Sequence, residues 1–185
     1  MTRESAESVP EYVVVTTTVV LRRDSDGVLE SLVFRRRDED AEGPGLWTIA
    51  GGKMSRKDWG RQRKTKSHPI WEGGLRRAAA REIKEEGGFD VPPDTLRLLE
   101  DGDVIFIRKS GTPTLVLTYW TLLAAESTVQ LGREMTDYAW LKEKDLGKYA
   151  FIGDVADHVR RAMSACDEEL RVNSEKAEAH MARAR

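Results

Sequence analysis

The chain has one cysteine, Cys166, among 185 residues. That excludes an internal disulfide and a zinc cluster built on thiolates. Histidine is also scarce, with three in all, and neither His68 nor His158 has a cysteine or histidine nearby in sequence, so no zinc site is expected. Long apolar runs are missing: nothing approaches the roughly 18 residues needed to span a bilayer, and the opening MTRESAESVPEY is too polar for a secretory leader. These absences predict a cytoplasmic protein with no membrane partner. An excess of one charge is absent too. Lys and Arg (30) nearly balance Asp and Glu (32), leaving a net charge of −2, which argues neither for nor against nucleic acid. Internal repeats and a helix-turn-helix pattern are also lacking, which speaks against a transcription factor.

What the chain has in quantity is charge, 34% of residues, placed between β-branched runs. Residues 1–10 read as a disordered lead-in, 11–170 as a single domain, and 171–185 as a tail that is either helical or disordered. YVVVTTTVVLRR (12–23) has the β-branched density of a strand buried on both faces. DSDG (24–27) is a turn, and VLESLVFRRR (28–37) is the returning strand. After a loop at 38–45, LWTIAGGK (46–53) reads as a short strand entering a glycine pair. Residues 54–70 are basic and without period, an exposed excursion. A helix is predicted from Gly74 to Glu86, stopped by Gly87-Gly88. Two strand-like runs follow, then a short strand with a helical turn at 137–151. From Ile152 on, apolar residues spaced three or four apart mark an amphipathic helix. The order of strands, one helix, strands and one helix predicts a mixed sheet flanked by helices.

The helix at 74–86 carries the chemistry. Leu75, Ala79 and Ile83 recur every four residues as a buried stripe. Glu82, Glu85 and Glu86 crowd the C-terminal end, Glu85 and Glu86 lying within roughly 60° of Glu82 on either side. That end already carries partial negative charge from the helix dipole. Three acids there repel one another and the dipole unless a cation offsets them. Hard divalent ions such as Mg²⁺ take oxygen ligands of this kind, often together with substrate phosphates. Arg81, one residue earlier, is placed to hold one of the carboxylates.

GGLRRAAAREIKEEGGF (73–89) resembles the C-terminal part of a Nudix box. The family pattern is Gly, five residues, Glu, seven residues, then Arg-Glu-apolar-any-Glu-Glu-any-Gly-apolar. Arg81, Glu82, Ile83, Glu85, Glu86, Gly88 and Phe89 match its second half. LWTIAGGK resembles the strand entering the box, with Gly52 as its opening glycine, and DYAWLKEKDL resembles the family's late strand and turn. The likeness covers roughly residues 12–165. Counted back seven residues from Arg81, the family's first glutamate falls on Gly73, with Glu72 beside it as a substitute. In that register the five-residue gap has grown to twenty, and 54–70 is a basic insertion within the box.

The resemblance implies an α/β fold, a Nudix-like α/β/α sandwich around a mixed β-sheet. It also implies a Mg²⁺-dependent hydrolase, with Mn²⁺ as a substitute ion. The bond cleaved would be a phosphoanhydride of a nucleoside diphosphate linked to another group: a nucleoside triphosphate, a dinucleoside polyphosphate or a nucleotide sugar. Glu82, Glu85 and Glu86 are the expected metal ligands. Arg81, Glu82 and Glu134 are the expected catalytic residues, Glu134 as an alternative base to Glu82. Arg36, Gly51 and Gly52 are expected at the substrate, although Arg36 at its strand end either contacts phosphates or faces water. The basic segment, with Trp59 and Trp71, is either a solvated loop or a lid over a polyphosphate or an RNA 5′ end. Homodimers are common in the family, so the resemblance allows a homodimer without deciding the oligomeric state. The alternative function is a nucleotide-binding sensor that has lost turnover.

Overall fold

Thr16, Val19, Val20 and Leu21 are each buried, so strand β1 (Val13–Arg23) is covered on both faces, as its β-branched sequence requires. The computed structural model describes residues 11–183; the lead-in expected at 1–10 lies outside them. Strand β2 (Leu29–Arg36) returns antiparallel to β1, with Val20 opposite Leu32. The Asp24 carboxylate accepts from the Asp26 and Val28 N–H groups in the turn between them, the short-range bonding for which Asp favours turns. The segment at 46–53 is two strands rather than one, β3 (Trp47–Thr48) on β2 and β4 (Ala50–Lys53) on β1. Ile49, fully buried between them, is where the chain changes partner.

Residues 54–72 are ordered rather than irregular. A short 3₁₀ turn, Arg56–Asp58, is capped by Ser55. It leads into a two-stranded hairpin of β5 (Gln62–Lys64) and β6 (Pro69–Trp71). Helix α1 (Gly74–Gly87) matches the predicted span. It ends at Gly88, whose φ of 81° is the left-handed cap that glycine adopts without strain. Strands β7 (Arg97–Ile107) and β8 (Pro113–Leu122) pair antiparallel. β8 then runs parallel to β1, which makes the sheet mixed. Strand β9 (Met135–Leu141) pairs with β2. Helix α2 (Val155–Arg183) starts three residues after Ile152 and continues through most of the proposed tail.

The main sheet runs β3-β2-β1-β8-β7, with β4 also on β1 and β9 on β2. Each face has its own core. Val20, Leu32, Phe34, Ala79 and Ile83 pack under α1. Val19, Leu21, Val33, Trp120, Val159 and Met163 pack under α2. Alternate residues of β1 and β2 thus serve opposite layers, as the pleat dictates. The result is the expected α/β/α sandwich. Its consequence for the site is that β4 and α1 run side by side, with the glycines of one facing the glutamates of the other.

Candidate active site

Glu82 and Glu86 are four residues apart on α1 and turn toward β4; both are buried, whereas Glu85 points outward. The Gly51 N–H donates to Glu86 Oε2 at 2.9 Å. Gly52 lies against Glu82 so closely that a Cβ there would sit 2.2 Å from Glu82 Oε1. No other residue leaves that carboxylate its position. The N–H of Gly51, a residue expected at the substrate, is committed to Glu86.

Arg81 ties the acids together. Its Nη1 donates to Glu82 Oε1 at 2.7 Å and to Glu85 Oε2 at 2.9 Å. Its Nη2 donates to the Lys53 carbonyl at 3.1 Å. The other edge of the guanidinium meets Asp58, Nε to Oδ1 at 2.9 Å and Nη2 to Oδ2 at 3.2 Å, a bidentate pair of the strong kind. Asp58 is 2% exposed. It also accepts from the Ser55 N–H and hydroxyl. Burial works against its charge, but these donors more than offset that and hold its pKa below the usual carboxylate range.

Asp58 corrects the register read from sequence. Gly52 and Asp58 are separated by five residues, the family's own spacing, so that gap has not grown. The extra length lies in the following segment, 22 residues (59–80) where the pattern has seven. Asp58 thus stands where the family has its first glutamate and meets Arg81 across the insertion. Glu72, considered as a replacement, pairs instead with Arg63 on the exposed hairpin at 2.6 Å. Gly73 adopts a φ of 71° at the start of α1. The Gly52-to-Asp58 spacing was the available signal; reading it required accepting aspartate for glutamate.

The loop after β8 closes the other end. The N–H groups of Gln130 and Gly132 donate to the Gly87 and Glu86 carbonyls, each at 2.9 Å, satisfying acceptors that a helix C-terminus leaves open. Gly132 is the only residue type that fits, since a Cβ would come within 2.1 Å of the Glu85 carbonyl oxygen. This docking brings exposed Glu134 near enough for its charge to raise the pKa of both Glu82 and Glu86. Burial is the larger cause in each case. For Glu86 the rise is large, opposed by the Gly51 N–H and the Arg36 charge. Arg36 pairs with Asp40 at 2.9 Å, yet its Nε is buried without a hydrogen-bond partner. Its neighbours Arg35 and Arg37 pair with Asp38 and Asp40.

Among the described residues, no three acids, histidines or cysteines already stand in a metal-binding cluster, because Arg81 sits between Glu82 and Glu85. The donor set still fits a hard divalent cation. It offers carboxylate oxygens only, two of them buried and driven toward protonation by burial and mutual repulsion, in a cradle that only glycine leaves open.

Beyond Asp58 the insertion is strapped down. Arg77 Nε donates to the Asp58 carbonyl at 2.8 Å, and its Nη2 to the carbonyls of Trp59 and Glu72. Trp59 and Trp71 pack with ring centroids 4.8 Å apart. With Met54, Leu98 and Tyr119 they line a cavity of about 390 Å³ at the start of α1.

A profile of the NUDIX domain matches residues 13–162. The chain belongs to the Nudix family. It is accordingly a nucleotide pyrophosphohydrolase in the family's general sense. Solved structures agree on the fold. A MutT/nudix family protein from Enterococcus faecalis is 14% identical with a TM-score of 0.64, over 90% of this chain but 66% of its own length. An Ap4A hydrolase from C. elegans, in a binary complex, is 22% identical with a TM-score of 0.60, over 84% of this chain and 98% of its own. The NUDIX domain of NrtR from Shewanella oneidensis, complexed with ADP ribose, is 16% identical with a TM-score of 0.64, over 89% and 94%. A search of curated proteins returns no match. No described helix is long and apolar enough to cross a membrane.

Proposed function

We propose that this Nudix domain hydrolyses a phosphoanhydride bond in a nucleoside diphosphate joined to a further group. Nucleoside triphosphates, dinucleoside polyphosphates and nucleotide sugars are the candidate classes. The observation that carries the reading is the buried Glu82–Glu86 pair, crowded by Glu134 and braced by Arg81 and Asp58. Such a concentration of partly desolvated carboxylate destabilises the fold unless it serves a cation. Glu82, Glu85 and Glu86 would hold Mg²⁺, with Mn²⁺ as substitute. When bound, the ion neutralises diphosphate charge and makes a water more acidic.

This chain's residues have separable tasks. Asp58 fixes the Arg81 plane, and Arg81 Nη1 holds Glu82 and Glu85 side by side. Gly51 orients Glu86, and Gly52 leaves room for Glu82. The Glu134 carboxylate, exposed at the rim, takes the proton from the attacking water. Arg36 brings the exposed part of its guanidinium, not its buried Nε, to a phosphate oxygen. The cavity bounded by Trp71 and Tyr119 lies on the flank of α1 that Met54 and Asp58 also cover, where a base or the second group of the substrate is accommodated. The basic residues of the hairpin stand beside it, so an RNA 5′ end belongs among the substrates tested.

The test is turnover by the purified chain with Mg²⁺ across these nucleotides and RNA, beside Glu85→Gln, Glu86→Gln and Glu134→Gln. Loss of turnover without metal and in the first two variants is expected. Glu134→Gln should fall by roughly a hundredfold or more, the usual contribution of a positioned base. Tight nucleotide binding with no turnover on any substrate would overturn the proposal in favour of a sensor.

A further inference from the structure

Strand β7 ends the main sheet: β8 lies on one side, and no described strand lies on the other. Exposed edges are ordinarily guarded by proline, lysine or a bulge. Here a bulge between Leu98 and Asp103 interrupts only the first half. The second half, Asp103-Val104-Ile105-Phe106-Ile107, runs regularly against Leu117 to Pro113. Its centre carries no charge and no proline, yet Ile105 is 60% and Ile107 64% exposed, with Phe106 also exposed.

The backbone direction along this edge follows from one bond. The Arg108 N–H donates to the Thr112 carbonyl at 3.0 Å. Hydrogen-bonding direction alternates along an antiparallel strand, so Val104 and Phe106 also face β8. The N–H and C=O groups of Asp103, Ile105 and Ile107 then point away from the sheet. Pro113, which has no N–H to offer, stands opposite Ile107, in keeping with that alternation.

The side chains are self-complementary in one register. Acids (Glu100, Asp101, Asp103) precede the apolar stretch, and Arg108 and Lys109 follow it. Set antiparallel to itself about Phe106, the strand places Ile105 opposite Ile107, Phe106 opposite Phe106, and the Asp103 side chain opposite that of Lys109, whose own N–H is held by Glu42 Oε1 at 3.1 Å and stays out of the ladder. Outward-facing residues then meet outward-facing residues. A shift by one residue would set outward groups against inward ones. A parallel arrangement would stack acid on acid.

From this geometry we infer that β7 joins the same strand of a second copy of this chain, continuing the sheet across a two-fold axis at Phe106. The contact is isologous, each patch meeting its own copy. Ile105 and Ile107 leave water together, and the two Phe106 rings meet in a non-hydrogen-bonded pair, where cross-strand side chains are closest. The interface is short, so the dimer dissociates on dilution.

Sedimentation equilibrium of the full chain over a range of concentrations tests this, with circular dichroism as the check on folding. Wild type is expected to be a concentration-dependent dimer, and Ile105→Lys, at an exposed position, a folded monomer. Lys109→Glu alone should weaken association about tenfold by setting like charges opposite each other. Combining it with Asp103→Lys should restore association. Phe106→Cys should cross-link to itself under oxidation while Ile105→Cys does not, since residue 105 faces residue 107. A wild type that stays monomeric throughout overturns the inference. So does an Ile105→Lys protein that still dimerises, or a dimer in which Phe106→Cys fails to cross-link.

Discussion

Asp58 shows how one buried residue organises three exposed to different degrees. Its carboxylate takes the far edge of the Arg81 guanidinium, leaving the near edge for Glu82 and Glu85. Anchored, Arg81 gives the two glutamates only Nη1; without Asp58 its remaining N–H groups would be free to turn to them and compete more strongly with any cation. Asp58→Asn keeps the shape but removes the charge that Arg81 faces. We expect it to destabilise the fold by on the order of 3 kcal/mol, because Arg81 is largely buried and loses its main partner. Urea titration at neutral pH measures this. Turnover should fall as well, through a raised metal requirement: added Mg²⁺ should recover part of the activity of Asp58→Asn and none of that of Glu86→Gln.

At the scale of elements, α1 gathers its acids at the end where the helix dipole disfavours them, and two neighbours make that arrangement persist. The loop at 130–134 covers the helix terminus with backbone N–H groups, and β4 presents glycines to the carboxylates. The hairpin of β5 and β6 depends on another element, since three of its base carbonyls are held by Arg77 of α1. A net hydrogen bond contributes about 1 kcal/mol, and these three lie near the surface. Arg77→Ala is therefore expected to release the hairpin while the two cores keep their stability. Trypsin should cut between Arg61 and Lys66 several-fold faster in the variant, with a thermal midpoint close to that of wild type. A large drop in midpoint would show the hairpin to be part of the cooperative unit.

For the whole molecule, the sheet separates two cores, and the one beneath α2 holds a titratable group. His158 is buried on α2. Burial lowers its pKa below 6.5, aided by the Arg161 charge and opposed by Asp154 and Asp157. A depressed histidine binds its proton more readily unfolded than folded. Above pH 6.5 it is neutral in both states and costs nothing. As the pH falls below that value the unfolded state takes up the proton first, so stability declines. The difference in thermal midpoint between wild type and His158→Gln should therefore turn against wild type as the pH falls from about 7 to 5, while the raised carboxyls of Glu82 and Glu86, present in both proteins, act in the opposite sense. Cys166, buried in the same core with its thiol pushed up to about 11, is expected to stay inert to alkylation in the folded protein.

Local pattern determined a good deal. Alternation and β-branching marked β1, β2, β7 and β8. The four-residue stripe of Leu75, Ala79 and Ile83 marked α1, and the spacing of Arg81, Glu82, Glu85 and Glu86 placed the family chemistry on it. These are legible because they depend on residues within a turn or two of one another. The tertiary structure decided what depends on distance. Twenty-two residues separate Asp58 from Arg81, and no periodicity links them; the Gly52-to-Asp58 spacing offered one register and Gly73 another, and the folded contact between Asp58 and Arg81 decided between them. Glu134 reaches Glu82 and Glu86 because Gly132 lets a loop dock on the end of α1. Arg36 differs from Arg35 and Arg37 only in where the strand end points. The open edge of β7 follows from strand order, which a strand's own residues do not encode. Local preference selects the elements, and the packing of the sheet between its two helices selects which of their side chains meet.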